Sequence, residues 1–266
     1  MTRFLAIAAL IGISIHHGHC QELDKSNAKL LAFEVASITP CKPGTPEPPG
    51  EHMGMVQFTY PGGRFEAKAT SLKYLMEWAY GILPAQHSEG AAWFGNERYD
   101  IVAKAPGQAT DTQIKRMVQA LIEERFKLKF HRENKEAPVV VLSVGKTSPK
   151  LFPPKDGEVH SIHITPPSDG DRKTGSFHVT ATRYTLAQLI DVFSRQLGRV
   201  IVDETGLRGD YDFTLDLTPT EDQPNPLDPS HILASLRDDL GLVVKSQKGM
   251  IDYMTIDSAE RVVAGN

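Results

Sequence analysis

Two stretches of the chain match each other at a fixed spacing. A duplication of this kind has to be read before any site is argued, because it explains many residues by architecture alone. Gly63-Arg64-Phe65-Glu66-Ala67-Lys68-Ala69-Thr70 precedes a helix-like run from Leu72 to Ala79, and Gly175-Ser176-Phe177-His178-Val179-Thr180-Ala181-Thr182 precedes one from Leu186 to Leu197. Phe65 and Phe177 stand 112 residues apart, as do Ala69 and Ala181, and Tyr99-Asp100-Ile101 returns at the same interval as Tyr211-Asp212-Phe213. Residues shared by both copies are more economically fold-makers than catalysts.

Within the first copy, the alternation of Phe33 to Ile38 suits a strand, and Cys41 to Gly54, rich in Pro and Gly, suits a loop. Phe58 and Tyr60, then Phe65, Ala67 and Ala69, alternate around a turn at Pro61-Gly62-Gly63. Ser71 is placed to cap a helix whose face is Leu72, Leu75, Met76 and Ala79, with Gly81 as its stop. A strand at Tyr99–Ala103 follows, then a helix opened by the capping box Thr110-x-x-Gln113 and running to about Phe126. Leu128 to His131 and Pro138 to Val144 read as two further strands.

The second copy repeats the plan after a strand-like island at His160–Ile164. It has a strand at Phe177–Ala181, the box Thr185-x-x-Gln188, a helical face of Leu186, Leu189, Ile190 and Phe193, a stop at Gly198, a short strand at Val200–Val202 and another at Tyr211–Leu217. Ser230 is the expected cap of a helix carrying Ile232, Leu233, Leu236 and Leu240, and Leu242–Val244 with Ile251–Ile256 reads as a hairpin across Lys248-Gly249. The expectation is an α+β fold: two related small modules with mixed β-sheets and helices packed mainly on one face, either separate or sharing one continuous sheet. The division is residues 1–20 as signal peptide, 21–32 as a flexible mature N-terminus, 33–148 as the first repeat, 149–174 as connector, 175–258 as the second repeat and 259–266 as tail.

Arg3 followed by the apolar run Phe4–Ile15 reads as a secretory signal, too short for a permanent span, with cleavage after Cys20. The alternative is lipid anchoring at Cys20, although His19 stands where lipoprotein processing prefers a small residue. Cleavage after Cys20 leaves Cys41 as the only cysteine, so stability must come from core burial rather than disulfides. A formal net charge of −4 without a basic stripe argues against a nucleic-acid partner. The protein is thus expected in the periplasm or outside the cell.

Several stretches carry a family resemblance: Phe33 to Pro40, Ala79-Tyr80-Gly81-Ile82, Arg98 to Pro106, Arg125 to Glu133, Gly198 to Leu207, and Gly209-Asp210-Tyr211-Asp212-Phe213. In these, over about residues 33–257, the chain resembles a large uncharacterised family of exported bacterial proteins, abundant in soil acidobacteria and known only as a domain of unknown function. The resemblance implies export and a shared fold, and it brings no catalytic residue, cofactor or substrate. The chain departs at Ala91-Ala92-Trp93, where family members tend to carry Gly-Pro. A weaker likeness to the small periplasmic modules of secretins and receptors, which bind peptides or neighbouring subunits, favours binding or assembly by analogy of fold alone.

No coherent catalytic set emerges. Asp100 and Asp212 are a matched carboxylate pair, better read as structural partners of their own strands. His131-Arg132-Glu133 suits a surface cluster. His160 and His163, with His178, lack the helical or cysteine-bearing spacing of a zinc site. Ser71 and Ser230 read as caps rather than nucleophiles, and Gly62-Gly63 and Gly206-x-x-Gly209 as turns rather than phosphate loops. No residue is assigned to catalysis, cofactor or metal. The function expected is a noncatalytic binding or assembly module for an unknown protein, peptide or glycan of the cell envelope or exterior. The alternatives are a hydrolase or other enzyme with an unrecognised site, and a structural envelope protein.

Overall fold

A computed structural model describes residues 32–51, 58–165 and 175–262. The signal segment with Cys20, all but the last residue of the flexible N-terminus, residues 166–174 of the connector and 263–266 of the tail lie outside the described residues. The fold is mixed α+β, and the strands among the described residues form three three-stranded sheets. The first sheet, all antiparallel, places β3 (Arg98–Lys104) between β1 (Val35–Pro40) and β2 (Arg64–Ser71). Another antiparallel sheet places β6 (Phe177–Thr185) between β5 (Ser161–Thr165) and β8 (Asp210–Leu217). The remaining sheet centres on β4 (Lys129–Val144), with β7 (Val200–Asp203) parallel on one side and β9 (Leu242–Ser258) antiparallel on the other.

The helices are α1 (Leu72–Tyr80), the single turn α2 (Trp93–Asn96), α3 (Asp111–Arg125), α4 (Leu186–Leu197) and α5 (Pro229–Asp238). Ser71 caps α1, complete capping boxes at Thr110 and Thr185 open α3 and α4, and Gly81 and Gly198 close α1 and α4. One buried cluster gathers Phe65, Ala67, Tyr99 and Ile101 of the first sheet under α1 and α3. A second gathers Val179, Ala181, Phe213 and Leu215 under α4 and α5. The β4–β9 ribbon serves both: Met254 lies in the first cluster with Phe130 and Ile256 against it, and Val140, Leu142 and Leu242 lie in the second.

That ribbon corrects two expectations. The strands expected at Leu128–His131 and Pro138–Val144 are one strand, β4, and the hairpin expected at Lys248-Gly249 is uninterrupted β9. Gly249 faces Ala137 within the ladder, and a Cβ there would stand 2.9 Å from Val139 Cγ2. The glycine therefore serves close packing rather than a turn. Ser230 is not a cap either. Asp228 is the N-cap of α5, accepting from the Ser230 backbone N–H, with Pro229 at the first helical position and the Ser230 hydroxyl donating to the same carboxylate.

The two Tyr-Asp units have a concrete job. β2 bulges between Ala67 and Thr70, and β6 between Ala181 and Tyr184. At each bulge one non-glycine residue turns left-handed, Ala69 at φ 48° and Arg183 at φ 51°. The N–H freed there donates to a carboxylate on the next strand: Ala69 to Asp100 Oδ1 at 2.8 Å, Arg183 to Asp212 Oδ1 at 2.9 Å. Each bulge leads within two residues to a helix cap, Ser71 or Thr185, so the bulge aims the chain from strand into helix. The bulge counterpart of Ala69 is Arg183, two residues beyond the Ala181 that the 112-residue interval indicates, whereas Tyr99 and Tyr211 keep that interval.

Candidate functional site

The candidate site is a cavity of about 500 Å³ over the first residues of α1, between the Pro- and Gly-rich loop before β2 and the loop carrying α2. Its polar floor is Glu51, Ser71, Tyr74, Glu77 and Arg98. Ser71 is the α1 cap, and Tyr74 and Glu77 follow at helical spacing on the same side. Arg98 opens β3 beside Ser71 in the strand register. Glu51 is held by its backbone N–H donating to Pro48 O at 3.1 Å.

Glu51 is 5% exposed. Its Oε1 accepts from Ser71 Oγ at 2.7 Å and from Arg98 Nη1, while Arg98 Nη2 reaches Glu47 Oε2 at 3.3 Å. Glu51 Oε2, buried from water, has no hydrogen-bond partner among the described residues. A buried carboxylate oxygen left without a donor is costly and calls for an explanation. Ser71 Oγ also accepts from the Tyr74 N–H at 3.1 Å, so the hydroxyl is engaged on both sides. Burial, foremost, pushes the Tyr74 phenol up to about 12.

Behind this floor lies a buried ionic bridge between the two clusters. Glu77 on α1 places Oε2 2.6 Å from Arg195 Nη1 on α4 and Oε1 3.0 Å from His87 Nε2. Arg195 Nε also contacts Asp191 at 3.3 Å, and its guanidinium lies over the Tyr74 ring. Burial works against the charge on Arg195, but the Asp191 and Glu77 carboxylates overcome it and raise its pKa.

The residues singled out from sequence lie elsewhere. Asp100 and Asp212 hold separate bulges in different sheets. The Arg183 N–H, foremost, holds the Asp212 carboxyl below the usual range. His131 pairs with Asp257 at 2.9 Å, Arg132 with Asp252, and Glu133 accepts from Thr255 at 2.9 Å, forming a cross-strand surface row on the ribbon. His160 stacks on Tyr184, and His178 pairs with Asp216 at 2.6 Å. Among the described residues no three His, Cys, Asp or Glu side chains are grouped to hold a metal. Burial first, then the neighbouring Asp100 carboxylate, raises the Cys41 thiol, opposite to what a nucleophile needs. Sequence reading missed Glu51, His87 and the Glu77–Arg195 bridge. The available signal was Glu77 amid the buried Leu75, Met76 and Ala79, and Arg195 between Phe193 and Leu197.

These features define an α+β protein with a polar cavity walled by carboxylates. The chain belongs to the family described as "Protein of unknown function (DUF3738)", whose model matches residues 73–259. The match takes in Tyr74, Glu77, Arg98 and Arg195 but begins after Glu47, Glu51 and Ser71. No curated protein and no solved structure matches the chain. No helix among the described residues is long and apolar enough to cross a membrane.

Proposed function

We propose that the protein is a noncatalytic exported binding module whose ligand enters the cavity beside α1. The observation that carries this reading is Glu51 Oε2, a buried acceptor in the cavity floor that lacks a donor among the described residues. A cavity of about 500 Å³ with a few converging polar groups suits a small molecule or the end of a peptide or glycan. Binding is favoured over hydrolysis because the Ser71 hydroxyl is spent on Glu51 and the α1 cap, and His87 bonds to Glu77 and Ser88 rather than to a hydroxyl nucleophile. Export, kinship with soil-bacterial proteins and the origin of the two halves as copies of one unit belong to the same proposal and rest on the sequence.

Gly95 supplies the test. It lines the cavity, and a Cβ added there meets only Lys73 Cδ at 3.7 Å, so Gly95→Leu adds bulk to the cavity without backbone collision. Wild type incubated with the native exported fraction, re-isolated and analysed by mass spectrometry is expected to retain compounds that Gly95→Leu, matched for thermal stability, does not. Identical retention by the two proteins, or none by either, refutes the reading.

A further inference from the structure

The chemistry around Glu51 says more about the ligand than the cavity volume does. Glu51 Oε2 is buried and has no hydrogen-bond partner among the described residues. The charge of the same carboxylate is already met, because Arg98 Nη1 donates to its Oε1. Glu89, 3.4 Å from Lys73, and Glu77, 2.6 Å from Arg195, also face a cation. A second cation seated on Oε2 would share one carboxylate with the Arg98 guanidinium, a few ångströms from a like charge. An anion brings no donor and meets the carboxylate directly. The group that completes Oε2 is therefore an uncharged donor.

Resting on the binding reading above, we propose that the ligand is an uncharged sugar with one hydroxyl donating to Glu51 Oε2. A hydroxyl donates and accepts at one atom, so it can meet Oε2 and a guanidinium N–H beside it. The rest of the lining repeats that mixed demand, since Lys73 and Asn96 bring N–H donors and Glu89 brings acceptors to the same cavity. A monohydric alcohol sets hydrocarbon against these groups, whereas a ligand with several hydroxyls matches them. Pro84, Ala91 and Ala92 offer the apolar part of the lining to the C–H face of the ring.

The probes are D-glucose, D-galactose and D-mannose, titrated into the full chain to about 50 mM and followed by calorimetry and thermal shift. At least one is expected to bind saturably and raise Tm, and its 2-amino derivative, protonated, to bind no more tightly. Glu51→Gln, which keeps the side chain's size and turns one acceptor oxygen into an N–H donor, is expected to weaken that sugar about tenfold or more. Should Glu51→Gln misfold, Glu51→Asp, which keeps the charge and draws the carboxylate back by one methylene, is read instead, with the same direction. Tighter binding of the protonated amino sugar overturns the uncharged assignment, and sugar binding that the Glu51 variant leaves unchanged overturns the contact. If no sugar binds while Gly95→Leu still abolishes retention of a native compound, the sugar assignment falls and the binding site stands. If no sugar binds and Gly95→Leu changes nothing, both fall.

Discussion

The Glu77–Arg195 bridge can be tested by taking it apart. Both side chains are more than nine-tenths buried, and the bridge joins α1 of one cluster to α4 of the other. With charge centres roughly 4 Å apart and an effective dielectric of about 20, the attraction is about 4 kcal/mol, and it offsets the cost of bringing both ions out of water. Glu77→Leu strands Arg195 with only the half-exposed Asp191, and Arg195→Met strands Glu77 with only His87. Each single variant should therefore lose about 3–5 kcal/mol. At a urea m-value of about 1–3 kcal/mol/M, such a loss lowers the unfolding midpoint by about 1–5 M. The double variant replaces two buried ions with apolar groups and should recover most of that, ending within about 2 kcal/mol of wild type. Urea titration of the four proteins gives the coupling energy directly. Single variants within about 0.5 kcal/mol of wild type, or losses that add in the double variant, refute the view that the bridge holds the two clusters together.

Three further outcomes follow from the fold. Gly249→Ala should cost about 1–3 kcal/mol by overpacking against Val139, and Val139→Ala in the same chain should return part of it; thermal denaturation of the pair shows whether the relief occurs. Tyr99, 1% exposed and packed edge-on to Phe126, should lose about 3–5 kcal/mol on substitution by Ala, and Tyr211, half-buried with its hydroxyl donating to Arg208 O, about half as much; equal losses in urea unfolding contradict the ranking. Asp212 has its pKa depressed below 3.8, so its stabilising contribution is present above that value and lost as pH falls through the lower folded value. The stability gap between wild type and Asp212→Asn should be full at neutral pH and close below about pH 4, and a gap independent of pH contradicts the assigned role.

Most elements were legible because their signals are local. The caps at Ser71, Thr110 and Thr185, the stops at Gly81 and Gly198, and the alternation of β3 and β8 each need only a few neighbouring residues. The reading failed where a distant partner decides conformation. Glu133 to Glu136 and Lys245 to Gly249 are polar enough to pass for turns, yet pairing of the first with Met250 to Tyr253 and of the second with Ala137 to Val141 makes both strand. Ser230 lost the cap to Asp228 because Pro229 suits the first helical turn. Tyr99 packs as its alternation indicates, while Tyr211 reaches only partial burial. The site was illegible for the same reason. Glu51 sits in a Pro- and Gly-rich loop without periodicity, and Arg98 and Ser71 reach it only through the β2–β3 register.

The shared ribbon also sets an order of assembly. Met254 and Ile256 close the cluster built by the first half of the chain, and the ladder pairs Lys129 with Ser258 and Val144 with Leu242. Contacts between segments about a hundred residues apart carry a loop-closure cost before they return stability, which slows folding. The early part of the chain cannot finish its own core while it is being synthesised, because two of that core's apolar side chains arrive with the last strand. A polypeptide built this way keeps the apolar face that Met254 and Ile256 cover open until its C-terminal segment is made.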